Sequence, residues 1–304
     1  MTVTIPFTFV GGTVISSSQV NANFSALANA VNVGTRTILT VDTTFYVSPT
    51  GSDTGPATNP AQPAATVNYV IGLLQSQYDI NGKVVTIQLA NGTYNQAMVL
   101  HGAIPGQTIQ SQLIIQGNTG SPSSVVIDGG ALASFTANSG AGCQLQGLHI
   151  QSTGSVGLLS SNNSSLLFGN CEFGACTSTQ ILASRQGAVA TTANYSIVGP
   201  AAFHFFGSNN SNFYLEGLHS LVVAPPAGQP TVTITGTPAW GTAFIGLNGA
   251  SIANVFATFT GSATGVRAMV MENSVIHSGG NPNIATTYLP GSSNPTTASG
   301  GQLT

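Results

Sequence analysis

Short apolar phrases return along this chain at a nearly constant interval, and each carries Gly or Asn at the same place. "CQLQGLHIQS" begins at Cys143, "SLLFGNCEF" at Ser165, "NFYLEGLHS" at Asn212 and "AFIGLNGASIAN" at Ala243. Anchored on the Gly or Asn, the copies fall at Gly147, Asn170, Asn194, Gly217, Gly249 and Asn273, at intervals of 23, 24, 23, 32 and 24 residues. A weaker copy, "SSVVIDG", lies one step earlier, at Ser124. Two residues before the anchor stand Leu145, Phe168, Leu215, Leu247 and Met271. One after it stand Leu148, Cys171, Tyr195, Leu218 and Ala250, and three after it Ile150, Phe173, Ile197, Ile252 and Ile276.

Alternation on each side of the anchor predicts two short strands, each with one face inward. Positions −2 and +1 cannot share a face of one straight strand, so the chain must bend at the anchor. A bend with positive φ admits Gly without steric cost and Asn at a small one, which explains the restriction to those two residues. A period near 23 with two strands about a one-residue bend, and further strand before it, describes one coil of a parallel β-helix. Each coil stacks on the last at about 4.8 Å and cannot bury its apolar side alone. Asn at the bend is placed to hydrogen-bond to Asn or backbone in the next coil. The 32-residue interval, with "VVAPPAGQPTVTITGTPAW", reads as an insertion between coils.

An open stack needs a cap, and "PAATVNYVIGLLQSQYDI" predicts one. Val67, Val70, Ile71, Leu74 and Tyr78 follow helical spacing. In the strand after it, "KVVTIQLANGTY", Val85, Ile87 and Leu89 alternate inward and Asn91-Gly92 turns the chain. The first forty residues differ. In "GGTVISSSQVNANFSALANAVN", Ser17 or Ser18 can cap a helix on which Val20, Phe24, Leu27 and Val31 form one narrow apolar stripe. A short helix of this kind is not stable alone and wants a partner, either its own domain or copies of itself. The end, "HSGGNPNIATTYLPGSSNPTTASGGQLT", has no periodicity and is expected to be extended.

Composition narrows the function. Charged residues make up 4% of the 304, against roughly 25% in ordinary globular chains. The surface must then be built from Ser, Thr, Asn, Gln and Gly. Four Lys/Arg against seven Asp/Glu supply no basic stripe for phosphates and no carboxylate cage for a metal, so neither nucleic-acid binding nor a metal or other cofactor is expected. Cys143, Cys171 and Cys176 lack zinc spacing and an even disulfide framework, and read as buried small apolar residues. No apolar run is long enough to span a membrane, and "MTVTIPFTFVGG" lacks the basic and apolar regions of a secretory signal.

The run from "FYVSPTGSDTG" through "VVTIQLANGTY" and "LIIQGN" to "VVIDGG", with the later "GNCEF" and "GLHI" phrases, resembles right-handed β-helix proteins of the pectate-lyase-like superfamily. The resemblance covers about residues 43–280 and implies an all-β fold, a right-handed parallel β-helix with a capping helix. It leaves function open, because that fold hosts lyases, hydrolases and non-catalytic adhesive spikes. "SSQVNANFSALANAVN" is similar to a segment near the N-termini of bacteriophage tail fibres and tail spikes. That resemblance implies a virion-attachment and oligomerisation segment over 1–42, a β-helix over 43–280 and a tail over 281–304. It further implies a homotrimer made in the host cytoplasm, joined to other virion proteins through the N-terminal segment, contacting host surface polysaccharide and not inserted in a membrane.

Two other readings stay open: a polysaccharide depolymerase, hydrolase or lyase, and a purely structural or decorative virion protein. Hydrolases use paired carboxylates, roughly 5–5.5 Å apart when retaining and 6.5–9.5 Å when inverting. Glu216 and Glu272 each sit one residue before an anchor, which places them in one outward column two coils apart, with Asn248 between. The other outward column reads Val126, His149, Glu172, Ser196, His219, Ser251, Val275, with His149 and Glu172 on adjacent coils. A lyase would want a cluster of acids with a basic residue beside it, whereas Arg185 and Arg267 are isolated in sequence. For glycan binding the candidates are Trp240, the single Trp, with His149, Glu172 and His219.

Overall fold

In a computed structural model, residues 6–12, 14–34, 36–216 and 229–304 are described, side chains excepted at 28–34. Three parallel sheets run side by side along the chain and are visited in turn. The first sheet has ten strands, from Thr43–Val47 to Gln302–Leu303. The second has seven, from Gly92–Tyr94 to Thr258–Thr260, and the third eight, from Met98–His101 to Thr296–Thr297. Each strand pairs in parallel with its counterparts one coil away: Cys143 with Leu166 and Leu166 with Val189, Ile150 with Phe173 and Phe173 with Ile197. Such connections between parallel strands are right-handed. The molecule is a right-handed parallel β-helix.

The alternation fills the interior. Leu145, Phe168, Leu215, Leu148, Cys171, Ile150, Phe173 and Ile197 are all buried, as are Val85, Ile87 and Leu89. At the bend from the first sheet to the second, Gly147 (φ 67°) and Asn170 (φ 51°) take the left-handed conformation. The bends stack through the backbone: the Gly147 N–H donates to the Asn170 carbonyl (3.1 Å) and the Asn170 N–H to that of Asn194 (2.7 Å). Asn194 itself has no positive φ; its Oδ1 instead accepts from the Thr231 N–H at 2.8 Å. Gly217, Leu218 and His219 lie outside the described residues.

Gly249 and Asn273 correct the register read from spacing. They do have positive φ (61° and 58°), but at a different corner, where the third sheet returns to the first. Two consecutive left-handed residues mark that corner in seven coils: Ser139 and Gly140, Asn162 and Asn163, Arg185 and Gln186, Asn209 and Asn210, Gly249 and Ala250, Glu272 and Asn273, Ser299 and Gly300. Within this column, N–H groups of Gly140, Asn163, Gln186, Asn210, Ala250 and Asn273 donate to carbonyls of the next coil at 2.8 to 3.3 Å. Both corners favour Gly or Asn beside alternating apolar residues. Spacing alone therefore does not tell the two corners apart. At the 32-residue interval the true coil is 40 residues long, Asn212 pairing with Ile252. The coil is thus longer than its neighbours, as an insertion requires, but the later part of the stretch read as inserted enters regular structure, in the strands Thr231–Ile234 and Ala239–Leu247.

The first helix, α1 (Ser17–Gly34), is capped not by Ser17 or Ser18 but by Ser16, whose Oγ accepts from the Gln19 N–H at 3.3 Å. Phe24 (66% exposed) and Leu27 (45%) are uncovered and Val20 is half-buried; the Val31 side chain lies outside the description. The second helix, α2 (Val67–Gln77), starts at Thr66, whose Oγ1 accepts from Tyr69 N–H. It inserts Val67, Val70, Ile71 and Leu74 into the core beside the earliest coils, with Leu73 buried as well, while Tyr78 starts the short strand that follows and packs against that core. The end of the chain is not a free extended tail. Thr296–Thr297 pairs with the third sheet and Gln302–Leu303 with the first, adding a partial last coil.

Candidate functional site

The outward column of the second sheet is Thr93, Val126, His149, Glu172, Ser196, Thr233 and Thr260. Ser251 and Val275, expected in it, belong to the first sheet or its entry. Stacking puts His149 directly beneath Glu172, with Nδ1 and Oε1 2.6 Å apart. Both side chains are part-exposed. On the other side, His149 Nε2 lies 3.1 Å from Gln151 Oε1, and Gln151 Nε2 donates to Asp128 Oδ2 at 3.2 Å. Asp128 Oδ1 accepts from the N–H groups of Gly130 (2.8 Å) and Thr153 (3.3 Å). Gln151 uses its N–H toward Asp128, so its oxygen is the partner of the ring. The His149 ring thus lies between the Gln151 oxygen and the Glu172 carboxylate, and the four side chains form one polar chain.

Of the four, Gln151 reaches a cleft of about 520 Å³ at the corner between the second and third sheets, lined also by Thr153, Ala175, Thr177, Pro200 and Ala202. Gly174 makes room for the arrangement, since a Cβ there would come within 2.5 Å of His149 Nε2. Asp128 is buried and spent on two backbone amides and a side-chain amide, and Glu172 is held by the ring, so neither is set up as one of a pair of acid and base across a glycosidic bond. Asp128 reads as a turn residue in the sequence. Its offset of 23 to Gln151, the same as from His149 to Glu172, is the signal that ties the four together.

The other candidates are dispersed. Glu216 is buried and follows the strand Asn212–Leu215, at the exit of the first sheet. Glu272 sits at the entry of that sheet, in the left-handed corner, where its Oε2 accepts from the Gly249 N–H at 3.0 Å. A four-residue strand at roughly 3.3 Å per residue separates the two ends by at least about 13 Å. The one-column placement of these carboxylates is thus corrected, and with it their pairing for hydrolysis. Trp240 is no loop platform. It is 4% exposed in the strand Ala239–Leu247, with its ring 5.4 Å from Phe244 and 6.0 Å from His204. His219 lies outside the described residues.

A second polar cluster, absent from the sequence reading, is enclosed in the core. His204 is fully buried, stacked between Tyr195 and Phe244 (interplanar 20° and 15°). Gln180 Nε2 donates to the carbonyls of Gly174 (2.7 Å) and Gly199 (2.9 Å), so its Oε1 accepts from His204 Nδ1 at 2.6 Å. His204 Nε2 then accepts from the Tyr195 hydroxyl at 2.9 Å. Burial holds the imidazole well below its ordinary pKa and the Tyr195 phenol well above its own. The three thiols are free and buried; desolvation raises all of them, Cys171 to about 11 and Cys176 to about 12, which leaves them unreactive.

No family model matches the chain, and no curated protein does. Among solved structures, it is similar to the pectin methylesterase from Aspergillus niger in deglycosylated form, at 13% identity and a TM-score of 0.42, covering 85% of this chain and 83% of that one. The same enzyme in penultimately deglycosylated form gives 13% identity and a TM-score of 0.43, over 89% and 86%. The fold assignment stands on the strand pairings themselves: three parallel sheets wound by one chain into a β-helix.

Proposed function

We propose that this chain is a subunit of a phage-type tail fibre or spike. Residues 1–42 fasten it to its sister subunits and to other virion proteins, and the β-helix contacts glycan on the host surface. One observation carries the reading. Among the described residues the large apolar side chains left exposed are concentrated before the β-helix, at Phe7, Phe9, Val10, Val14, Ile15, Phe24, Leu27, Ile38 and Val41. The β-helix buries its own apolar residues well, so this end is built to be covered by something else. The resemblance of "SSQVNANFSALANAVN" to the N-termini of phage fibres says what covers it: equivalent segments of a homotrimer and the virion. The nearly charge-free wall suits a fibre whose contacts must hold across changes of salt.

Light scattering tests the assembly. A mass near three chains of 30.6 kDa is expected, and a monomer at working concentration overturns the fibre reading. Adhesion tests the function. The purified protein is expected to bind host cells and to block adsorption of the virus, whereas a trimer that binds no host cells would make this a structural virion protein instead.

A further inference from the structure

Away from the His149 site, a groove of about 760 Å³ runs across the outer face of the first sheet at its N-terminal end. Its floor is a column of stacked side chains in register, Tyr46 beside Gln88 and Gln88 beside Gln116. The column continues to Gln146. Asn91, Asn118 and Thr119 form one bank, and Thr50, Pro60, Ala61 and Pro63 the other. None of the residues lining it is charged.

The floor is locked before any ligand arrives. Gln146 Nε2 donates to Gln116 Oε1 (2.5 Å) and Gln116 Nε2 to Gln88 Oε1 (3.0 Å). Gln88 Nε2 donates to the carbonyls of Leu89, Gln116 and Gly117 (3.1 to 3.2 Å). Each ladder oxygen of Gln88 and Gln116 accepts one side-chain bond and keeps a second lone pair. The far bank is also tied down: the Pro63 carbonyl accepts from the Ser52 N–H (2.9 Å) and the Thr50 N–H donates to Ser48 Oγ (3.3 Å). Fixed amides, hydroxyls and one aromatic ring form a surface whose ordering entropy is spent on folding, not on binding. They match a ligand of many neutral hydroxyls with an apolar face to lay on Tyr46. An acidic sugar or a phosphate finds no cation in the lining.

We propose that this groove binds a neutral glycan chain laid across three coils. The inference rests on the host-glycan reading above and gives it a site and a ligand class. The test uses the whole protein with immobilised neutral hexasaccharides of glucose, mannose and galactose, and hexagalacturonate as the charged comparison. Binding to at least one neutral hexasaccharide is expected, little changed by salt and stronger than to hexagalacturonate. Tyr46→Ala is expected to weaken it about tenfold or more. Because that change touches the first coil, Ala61→Trp serves as the second variant. It fills the groove from an exposed loop and should abolish binding while leaving the thermal midpoint in place. Neutral binding unaffected by Ala61→Trp overturns the groove but leaves the fibre reading standing. So does failure to bind any neutral glycan by a protein that still adheres to host cells. Loss of adhesion itself belongs to the fibre reading, not to the groove.

Discussion

His204 makes stability depend on pH with a sign and a slope that follow from its surroundings. The ring is fully buried, donates through Nδ1 to Gln180 and accepts through Nε2 from Tyr195. A proton added to Nε2 would face a donor hydroxyl and place an unpaired charge in the core. The folded pKa is therefore depressed, while the unfolded chain takes up a proton near pH 6.5. With the unfolded state binding more protons, stability is fully present above pH 6.5 and falls as pH drops, until the folded value is reached. Between the unfolded and folded values the slope approaches about 1.4 kcal/mol per pH unit. His204→Gln keeps one donor and one acceptor without a titrating group. It gives up two ring stacks, worth about 0.5–1.5 kcal/mol each, and should be the weaker protein at pH 8. Urea unfolding of both proteins across this range isolates the effect, because the two chains share every ionisable group except this one. The wild-type advantage should shrink steadily below pH 6.5. A gap that stays constant from pH 8 to 4.5 would refute the reasoning.

Three further outcomes are expected. Gly174→Ala forces the His149 ring away from Gln151 and should lower stability by about 1–3 kcal/mol through the broken polar chain, with a changed ring-nitrogen NMR spectrum; an unaltered spectrum sinks that account. At Asn170, where φ is 51°, Gly should be tolerated and Val should destabilise by about 1–2 kcal/mol, read from denaturant midpoints. Replacing both Phe24 and Leu27 by Ser should leave the β-helix folded by circular dichroism but lower the oligomer mass by light scattering, and an unchanged mass would place the contact elsewhere.

Much of the fold was legible because a β-helix repeats one local problem. Each coil must turn Leu145, Phe168 and their equivalents inward, and the left-handed bend at Gly147 and Asn170 leaves a residue-type signature. The adjacency of His149 and Glu172 followed from the same 23-residue step. The step failed between Asn212 and Ile252, where the coil lengthens to 40 residues. There two corners with the same backbone demand became indistinguishable, and Glu216 and Glu272 were aligned although they stand at opposite ends of a strand. Trp240 was misplaced for the same reason, its strand being taken for part of an insertion.

The sequence by itself determined the coil, most of its inward residues, the capping helix and a surface almost without charge, since these follow from periodicity and composition; Ile252 (43% exposed), Ala250 and Met271, read as inward, are not, because the register had slipped to another corner there. Only the tertiary structure decided which polar residues meet. The Gln88, Gln116 and Gln146 ladder, the Asp128 to Glu172 chain and the enclosed His204 each join residues 20 or more positions apart in sequence. Their partnership depends on the length of every intervening loop, because one residue of slip turns a side chain from the wall into the core.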